Sequence, residues 1–328
     1  MAAPSADAVK NIDKLKATFT NITAEIGKKI IGQEDVIEQI IISILTDSNA
    51  LLESYPGLGK TSMIKAVSET MNLKFSRVQG TPDLMPSDIT GHAILDPSTR
   101  ELRVVQGPVF THLLLADEIN RAPAKTQSAL LEVMQEYQVT LEGKTLPLPK
   151  PFMVLATQNP IESEGTYPLP EAQLDRFLFK VEIGYPELAG EVAVVVRSTS
   201  NQAGNELPLS EVKPVLNERA VLSLQQIAGH QRVDDQVVDY AVRIVRATRE
   251  TAGLALGAGS RGAISLVRGA RAVALMEARN YVTPDDVKKV ALPCLRHRIA
   301  LAPDALLEGR KPNDLLAGII ETIPAPRM

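Results

Sequence analysis

"LLESYPGLGKTS", residues 51–62, is the stretch on which the reading of this chain turns. An apolar run passes through a turn with glycines at 57 and 59 and enters Lys60, Thr61 and Ser62. That is the order strand, phosphate loop, helix, written G-x-x-x-x-G-K-[ST], with one departure: Ser54 stands where the first glycine belongs. A nucleoside triphosphate needs inward-pointing backbone N–H groups, a helix N-terminus behind them and one fixed cation. Gly57 and Gly59 let the backbone close round phosphates, Lys60 is placed for the β- and γ-phosphates, and Thr61 for Mg²⁺. The candidate cradle is therefore Ser54, Tyr55, Pro56, Gly57, Leu58, Gly59, Lys60, Thr61 and Ser62. The bland alternative is a chance glycine turn. Against it stand the strand-like "ALLES" before the loop and the helical spacing of Met63, Ala66, Val67 and Met71 after it. Ser54 can turn the chain out of its strand if its φ stays negative, and its hydroxyl is free to cap a loop amide.

Outward from the loop, "HLLLAD" (112–117) and "FMVLAT" (152–157) read as further buried strands, and "AKTQSALLEVMQEY" as a helix carrying Ala129, Val133 and Tyr137 on one face. Strands alternating with helices over residues 13–184 predict an α/β domain with a parallel sheet. Residues 1–12 are expected to be a flexible tail, and 185–215 a polar connection rich in turn formers. Residues 216–328 read as a small all-helical domain with no strand pattern. Its helices are marked by Leu224 and Ile227, by Val237, Ala241 and Ile244, and by Leu266, Ala270 and Val273. A fourth starts at "TPDD", with Thr283 as N-cap, Pro284 first in the helix and Asp286 as the reciprocal acid.

Two more strand ends carry chemistry. Asp117 is placed to hold Mg²⁺, and Glu118 to activate a water as general base; a solvated carboxylate pair is the alternative. "TQN" (157–159) could orient that water or touch the γ-phosphate, but from chemistry alone a plain turn former before Pro160 is the better explanation of Asn159.

Composition closes off other classes. The 328 residues suffice for two cores. A net charge of -4, no tryptophan and 4% aromatic content argue against a general nucleic-acid binder or a base-stacking surface. The single cysteine, Cys294, sits among apolar neighbours in "VKKVALPCL" and reads as a buried thiol of a reduced compartment. The N-terminus lacks the pattern of a signal peptide, and "IIISIL" (40–45) is too short to span a bilayer. A cytoplasmic protein without membrane insertion is expected.

In this order the motifs resemble those of AAA+ ATPases: "PGLGKT" the Walker A motif, "LLLADE" Walker B and "ATQNP" sensor 1. The longer phrases "LLLADEINRAPAKTQSALLEVMQEYQVT" and "ATQNPIESEGTYPLPEAQLDRFLFK" resemble the MoxR family, and the similarity runs over roughly residues 15–320. The resemblance implies an AAA+ P-loop NTPase domain followed by a helical lid, with ATP and Mg²⁺ as ligands and ATP held between the two domains. It also implies a ring of identical subunits, by family a hexamer. Ile31, Gly32 and Gln33 in "IIGQEDVI" would pack on the adenine, although a helix start after a glycine turn accounts for the same residues. Asn159 would be the sensor 1 residue. Arg176 in "QLDRFL" resembles an arginine finger reaching a neighbour's γ-phosphate, against the alternative of an ion pair with Asp175. Arg261 in "GAGSRGAISLV" resembles the sensor 2 arginine, although the usual proline between serine and arginine is missing; a cation at a helix start calls for an anionic partner. "GHAILDPSTRELRVVQG" (91–107) reads as a hairpin and resembles the helix-2 insert of the subgroup containing MoxR proteins, magnesium chelatase and dynein. The family resemblance further implies work on a client protein and a separate partner with a von Willebrand factor A domain. A chelatase-like or nucleic-acid motor subunit, and a nucleotide-gated scaffold with little turnover, are the competing classes.

Overall fold

The computed structural model describes residues 6–95, 102–160, 165–199 and 212–326. Chain order begins with helices α1 (Ala6–Gly27) and α2 (Glu34–Leu45), strand β1 (Ala50–Ser54), α3 (Lys60–Thr70), β2 (Phe75–Gln79) and α4 (Pro86–Thr90). There follow β3 (Gly91–Leu95), β4 (Leu102–Gln106), β5 (Leu113–Asp117), α5 (Ala124–Glu136), β6 (Gln138–Leu141), β7 (Lys144–Pro147) and β8 (Met153–Gln158). The α/β part closes with α6 (Glu171–Leu174) and β9 (Phe179–Ile183). After α7 (Leu188–Thr199) come α8 (Glu218–Gly229), α9 (Asp235–Glu250), β10 (Leu254–Leu256), α10 (Ser260–Met276), α11 (Pro284–Leu295), β11 (Ala300–Leu301), α12 (Pro303–Leu307) and α13 (Pro312–Thr322).

Five strands form one parallel sheet in the order β2-β5-β8-β1-β9. Side chains alternate faces along a strand, and the central strands β5, β8 and β1 are covered on both faces, so their positions before the carboxyl ends are apolar. Leu52, Leu113, Leu115, Met153 and Leu155 enter a core shared with α1–α3 and the C-terminal helices. Leu51, Leu114, Ala116, Val154 and Ala156 point into the opposite core with α5. Each fully buried leucine contributes about 1.5–3 kcal/mol. Between β1 and β8 the connections diverge to opposite sides, and ligands of open α/β sheets settle at the carboxyl ends beside such a point.

The C-terminal helices share the first of these cores instead of standing apart. Helix α10 approaches closely because Gly269 has no side chain: a Cβ there would lie 3.2 Å from Phe179 and 3.3 Å from Val290. Helix α11 starts as its sequence predicts. The Thr283 hydroxyl accepts from the Asp286 N–H, the Asp286 carboxylate accepts from the Thr283 N–H at 2.7 Å, and Pro284 follows the cap. Cys294 is buried, and burial pushes its thiol up to about 11.

Four expectations change. Helix α1 already begins at Ala6, inside the expected tail. The stretch 185–215 holds helix α7. The C-terminal part carries a short antiparallel pair, β10 with β11, too brief to leave a period-2 pattern. Ile227 lies on α8 but faces solvent, so Val221, Leu224 and Ala228 mark its buried face. The hairpin over 91–107 forms, with Gly91 opposite Gln106 and Leu95 opposite Leu102; its "PSTR" turn lies outside the described residues.

Candidate functional site

The loop leaves β1 at Ser54 and becomes helix α3 at Lys60. Gly57 and Gly59 have φ of 82° and 71°, left-handed values that an L side chain would strain. Gly59 is the N-cap of α3, so the first-turn amides of Lys60, Thr61 and Ser62 face the loop without intrahelical partners. Lys60 has no side-chain partner among the described residues. Ser54 is buried and keeps a negative φ, but its hydroxyl donates to the Tyr55 carbonyl at 2.8 Å and caps no amide. The missing first glycine therefore costs the loop no strain. Ser54→Gly is expected to leave ATP affinity within about threefold, since the hydroxyl supplies one local bond of about 1 kcal/mol and touches none of the loop N–H groups. Titration with a fluorescent nucleotide reads this. A large rise in turnover would instead mark Ser54 as a brake.

A cleft of about 560 Å³ adjoins the loop. Gly57, Leu58, Gly59 and Ser62 form one wall, Ile31 and Gln33 a second. The helix-start reading of 31–33 holds: Gln33 is the N-cap of α2, and its side-chain amide donates to the Gly184 carbonyl at 2.9 Å; Ile31 and Gln33 also line the cleft. The third wall is Pro186 with Glu191, Val194 and Val195 of α7. Among the described residues, those that line this cleft come from the phosphate loop, the segment before α2, and α7 with the segment leading into it. Tyr55 also stacks on Tyr185, ring centroids 5.5 Å apart, joining the loop to the segment that leads into α7.

Asp117 and Glu118 end β5, two strands away from β1. Glu118 has φ 53° and ψ 45°, a left-handed conformation costing about 1–3 kcal/mol for a residue with a Cβ. Gly80 makes room for it, because a Cβ there would overlap the Glu118 carbonyl oxygen. Thr157, on the intervening β8, donates its hydroxyl to Asp117 Oδ1 at 2.6 Å and accepts from the Glu118 N–H at 2.8 Å. Gln79 Nε2 donates to Glu118 Oε2 at 2.8 Å, and Arg121 approaches the same oxygen at 3.1 Å. Arg77 donates to Asp117 Oδ2 from Nε at 3.1 Å and from Nη2 at 2.6 Å. Gln158 gives its amide to Glu53 at 2.7 Å, and Asn159, next along the chain, is buried at the same strand end.

Arg176 and Arg261 lie elsewhere. With Asp175, Arg268 and Arg298 they line a cleft of about 390 Å³ that shares no residue with the first. Asn49 and Leu178, which precede β1 and β9, line it too, so it opens at the amino ends of the strands. A five-residue strand spans about 16 Å, which separates the two clefts along β1. Arg176 does not pair with Asp175. That carboxylate binds Arg298 at 2.8 Å and Arg261 at 3.3 Å, supplying the anionic partner expected at the start of α10. The Arg298 side chain is 1% exposed, and it also donates to the carbonyls of Asp175, Phe177 and Leu178. It fastens the segment carrying Arg176 to the C-terminal helices.

Known proteins are similar to this chain in sequence and in fold. The family described as "ATPase family associated with various cellular activities (AAA)" matches residues 49–179, and "AAA lid domain" matches 246–319. Chaperone MoxR1 of Mycobacterium tuberculosis is 42% identical over 95% of this chain and 83% of its own. The chain belongs to the MoxR family of AAA+ ATPases. YeaC of Bacillus subtilis, a protein of uncharacterised function, is likewise 42% identical over 92% of both chains. The crystal structure of a candidate ATPase from Cytophaga hutchinsonii superimposes with a TM-score of 0.88 at 38% identity, covering 98% of each chain. The MoxR-family fold is thus an AAA+ P-loop domain with its helical lid, and the chain is an ATPase.

Sequence reading missed Arg77, Gln79, Arg121 and helix α7. It also missed the hairpin of β6 and β7, although its signal is present: "VTL" and "KTL" flank Glu142-Gly143, whose φ values of 48° and 75° are those of a two-residue hairpin turn.

Proposed function

We propose that ATP binds in the α7-covered cleft with its phosphates on Gly57–Ser62, and that hydrolysis is completed by arginines of a neighbouring copy in a ring, by family a hexamer. The observation that carries the reading is the division of the candidate residues between opposite ends of one sheet. Lys60, Asp117, Glu118 and Asn159 lie at the carboxyl ends of the strands, whereas Arg176 and Arg261 line a cleft at the amino ends, about one strand length (about 16 Å) away along β1. A half-site at each end calls for a second copy to bring the halves together.

The residues suit Mg²⁺. Among the described residues no three carboxylate, histidine or cysteine side chains cluster as a self-sufficient metal site. Mg²⁺ characteristically takes one or two protein oxygens and fills its shell from phosphates and water. Thr61 and Asp117 would supply those oxygens, and Asp117 Oδ2 already accepts a cationic partner. The ion would neutralise charge building on the phosphate oxygens. Lys60 and the first-turn amides of α3 hold the β- and γ-phosphates. Glu118 takes the proton of a water attacking the γ-phosphorus, and Asn159 orients that water. Arg176 meets the charge on the transferred phosphoryl group from the neighbouring copy, with Arg261 beside it.

The energy would act on a client protein, in the manner of the chaperone that MoxR1 is named to be, with a separate von Willebrand factor A domain protein as adaptor. The same ring would work in the cytoplasm; no helix among the described residues is long and apolar enough to cross a membrane.

The reading is tested by the concentration dependence of turnover. Specific ATPase activity is expected to rise steeply with protein concentration and to level off where sedimentation shows a closed oligomer. Activity that is constant per chain down to the monomer sinks it.

A further inference from the structure

Arg77 is the one cationic side chain bound to Asp117 among the described residues. It sits on β2, the edge strand beside β5, and both its Nε and Nη2 converge on a single carboxylate oxygen, Oδ2. The other oxygen, Oδ1, is held independently by the Thr157 hydroxyl. The Asp117 side chain is 8% exposed and that of Arg77 is 45% exposed.

We propose that Arg77 is a positioning residue that takes the electrostatic place of the metal ion, so that Arg77 and Mg²⁺ compete for Asp117 Oδ2. The proposal rests on the reading of Asp117 as the metal-facing carboxylate. A buried carboxylate without a cation is costly, and the guanidinium removes that cost while the loop is empty. The geometry provides for its departure. Thr157 keeps the carboxylate oriented through Oδ1 when Oδ2 is given up. Arg77 Nη2 already donates to Gln79 Oε1 at 2.5 Å, so the guanidinium has a second acceptor to stay on. Its half-exposed stem gives it solvent to turn into. The competing possibility is a permanent ion pair that fastens β2 to β5 and never opens.

The two differ in metal affinity. Mn²⁺ binding is measured by electron paramagnetic resonance on the full chain saturated with a non-hydrolysable ATP analogue. Arg77→Met keeps the stem and removes the charge. It is expected to bind Mn²⁺ about two- to fivefold more tightly than wild type, the scale of an ion pair that is part solvent-exposed. Arg77→Lys is expected to stay near wild type. Without metal, Arg77→Met is expected to melt below wild type, and the gap to narrow once Mn²⁺ and the analogue are added. Should Arg77→Met fail to fold, Arg77→Gln takes its place. Mn²⁺ binding by the neutral variant that equals or falls below wild type overturns the proposal. Asp117→Asn tests the underlying reading separately, with an expected loss of Mn²⁺ affinity of about tenfold or more whichever residue stands at 77. If that loss is absent, the metal-facing role of Asp117 falls and this proposal with it. If only the Arg77 effect is absent, Asp117 keeps its role.

Discussion

Glu118→Gln is expected to lower turnover by about 10²–10⁴, the usual contribution of a general base, while nucleotide affinity stays within a few-fold of wild type. The split follows from where the carboxylate sits. Glu118 is not on the phosphate loop; it ends β5, two strands over, and it contacts Gln79 and Arg121, not the loop amides. Glutamine keeps the length of the side chain and an oxygen that can accept from Gln79 or Arg121, so the left-handed backbone at 118 and its fit against Gly80 are retained. What the amide cannot do is take a proton from water. Phosphate release under saturating ATP measures the loss, and a fluorescent-nucleotide titration measures the affinity. A variant turning over within tenfold of wild type would assign the base to another group. A wild type no faster than the variant would revive the scaffold reading. With the expected result, the same variant holds ATP long enough for a pull-down to capture the client.

How far the sequence led depended on whether a feature was local. The loop and its flanks were legible because strand, turn and helix each left their own period within some twenty residues, and β1 begins and ends where "ALLES" does. Asp117 and Glu118 were legible because β5 is buried at every position, which makes a charged end conspicuous. Arg77 and Gln79 were not. "FSRVQ" buries only Val78, so it leaves no strong strand pattern, and its importance comes from lying beside β5, a matter of strand order and not of sequence. Helix α7 was hidden by grouping. "LAGEVAVVVRST" merges in sequence with the turn-rich residues after it, although Val194 and Val195 stand with Pro186 and Glu191 in the wall of the cleft. The resemblance identified Arg176 and Arg261 as candidates but not the end of the sheet on which they stand. Only the topology, with both beside the residues that precede β1 and β9, separates them from their own loop.

That separation makes Arg176→Ala the sharpest test of the assembly, with an expected fall in turnover of about 10³–10⁵, the scale of arginine fingers in phosphoryl transfer. Arg176 suits the role because it is a cation with no ion pair among the described residues, on a segment that is otherwise fixed. Asp175 next to it is engaged by Arg298 and Arg261, and Phe177 and Leu178 after it are buried and bound through their carbonyls to Arg298. The guanidinium is thus presented on a rigid base and left free at its tip. Removing it should neither unfold the chain, whose anchors lie on either side, nor weaken binding of ATP to the same subunit's loop. The decisive form of the experiment mixes subunits. Arg176→Ala chains keep an intact loop and lack the finger; Lys60→Ala chains keep the finger and lack the loop lysine. Each alone is expected to be inactive. Mixed, they form interfaces in which an intact Lys60, Asp117 and Glu118 face an intact Arg176, and activity should return to a substantial fraction of wild type. Two inactive variants that stay inactive when mixed, in oligomers shown to exchange subunits, would mean that Arg176 serves its own nucleotide or none. The strand length of about 16 Å between the clefts would then have to close by a rearrangement of the sheet end, which the buried Arg298 clamp opposes.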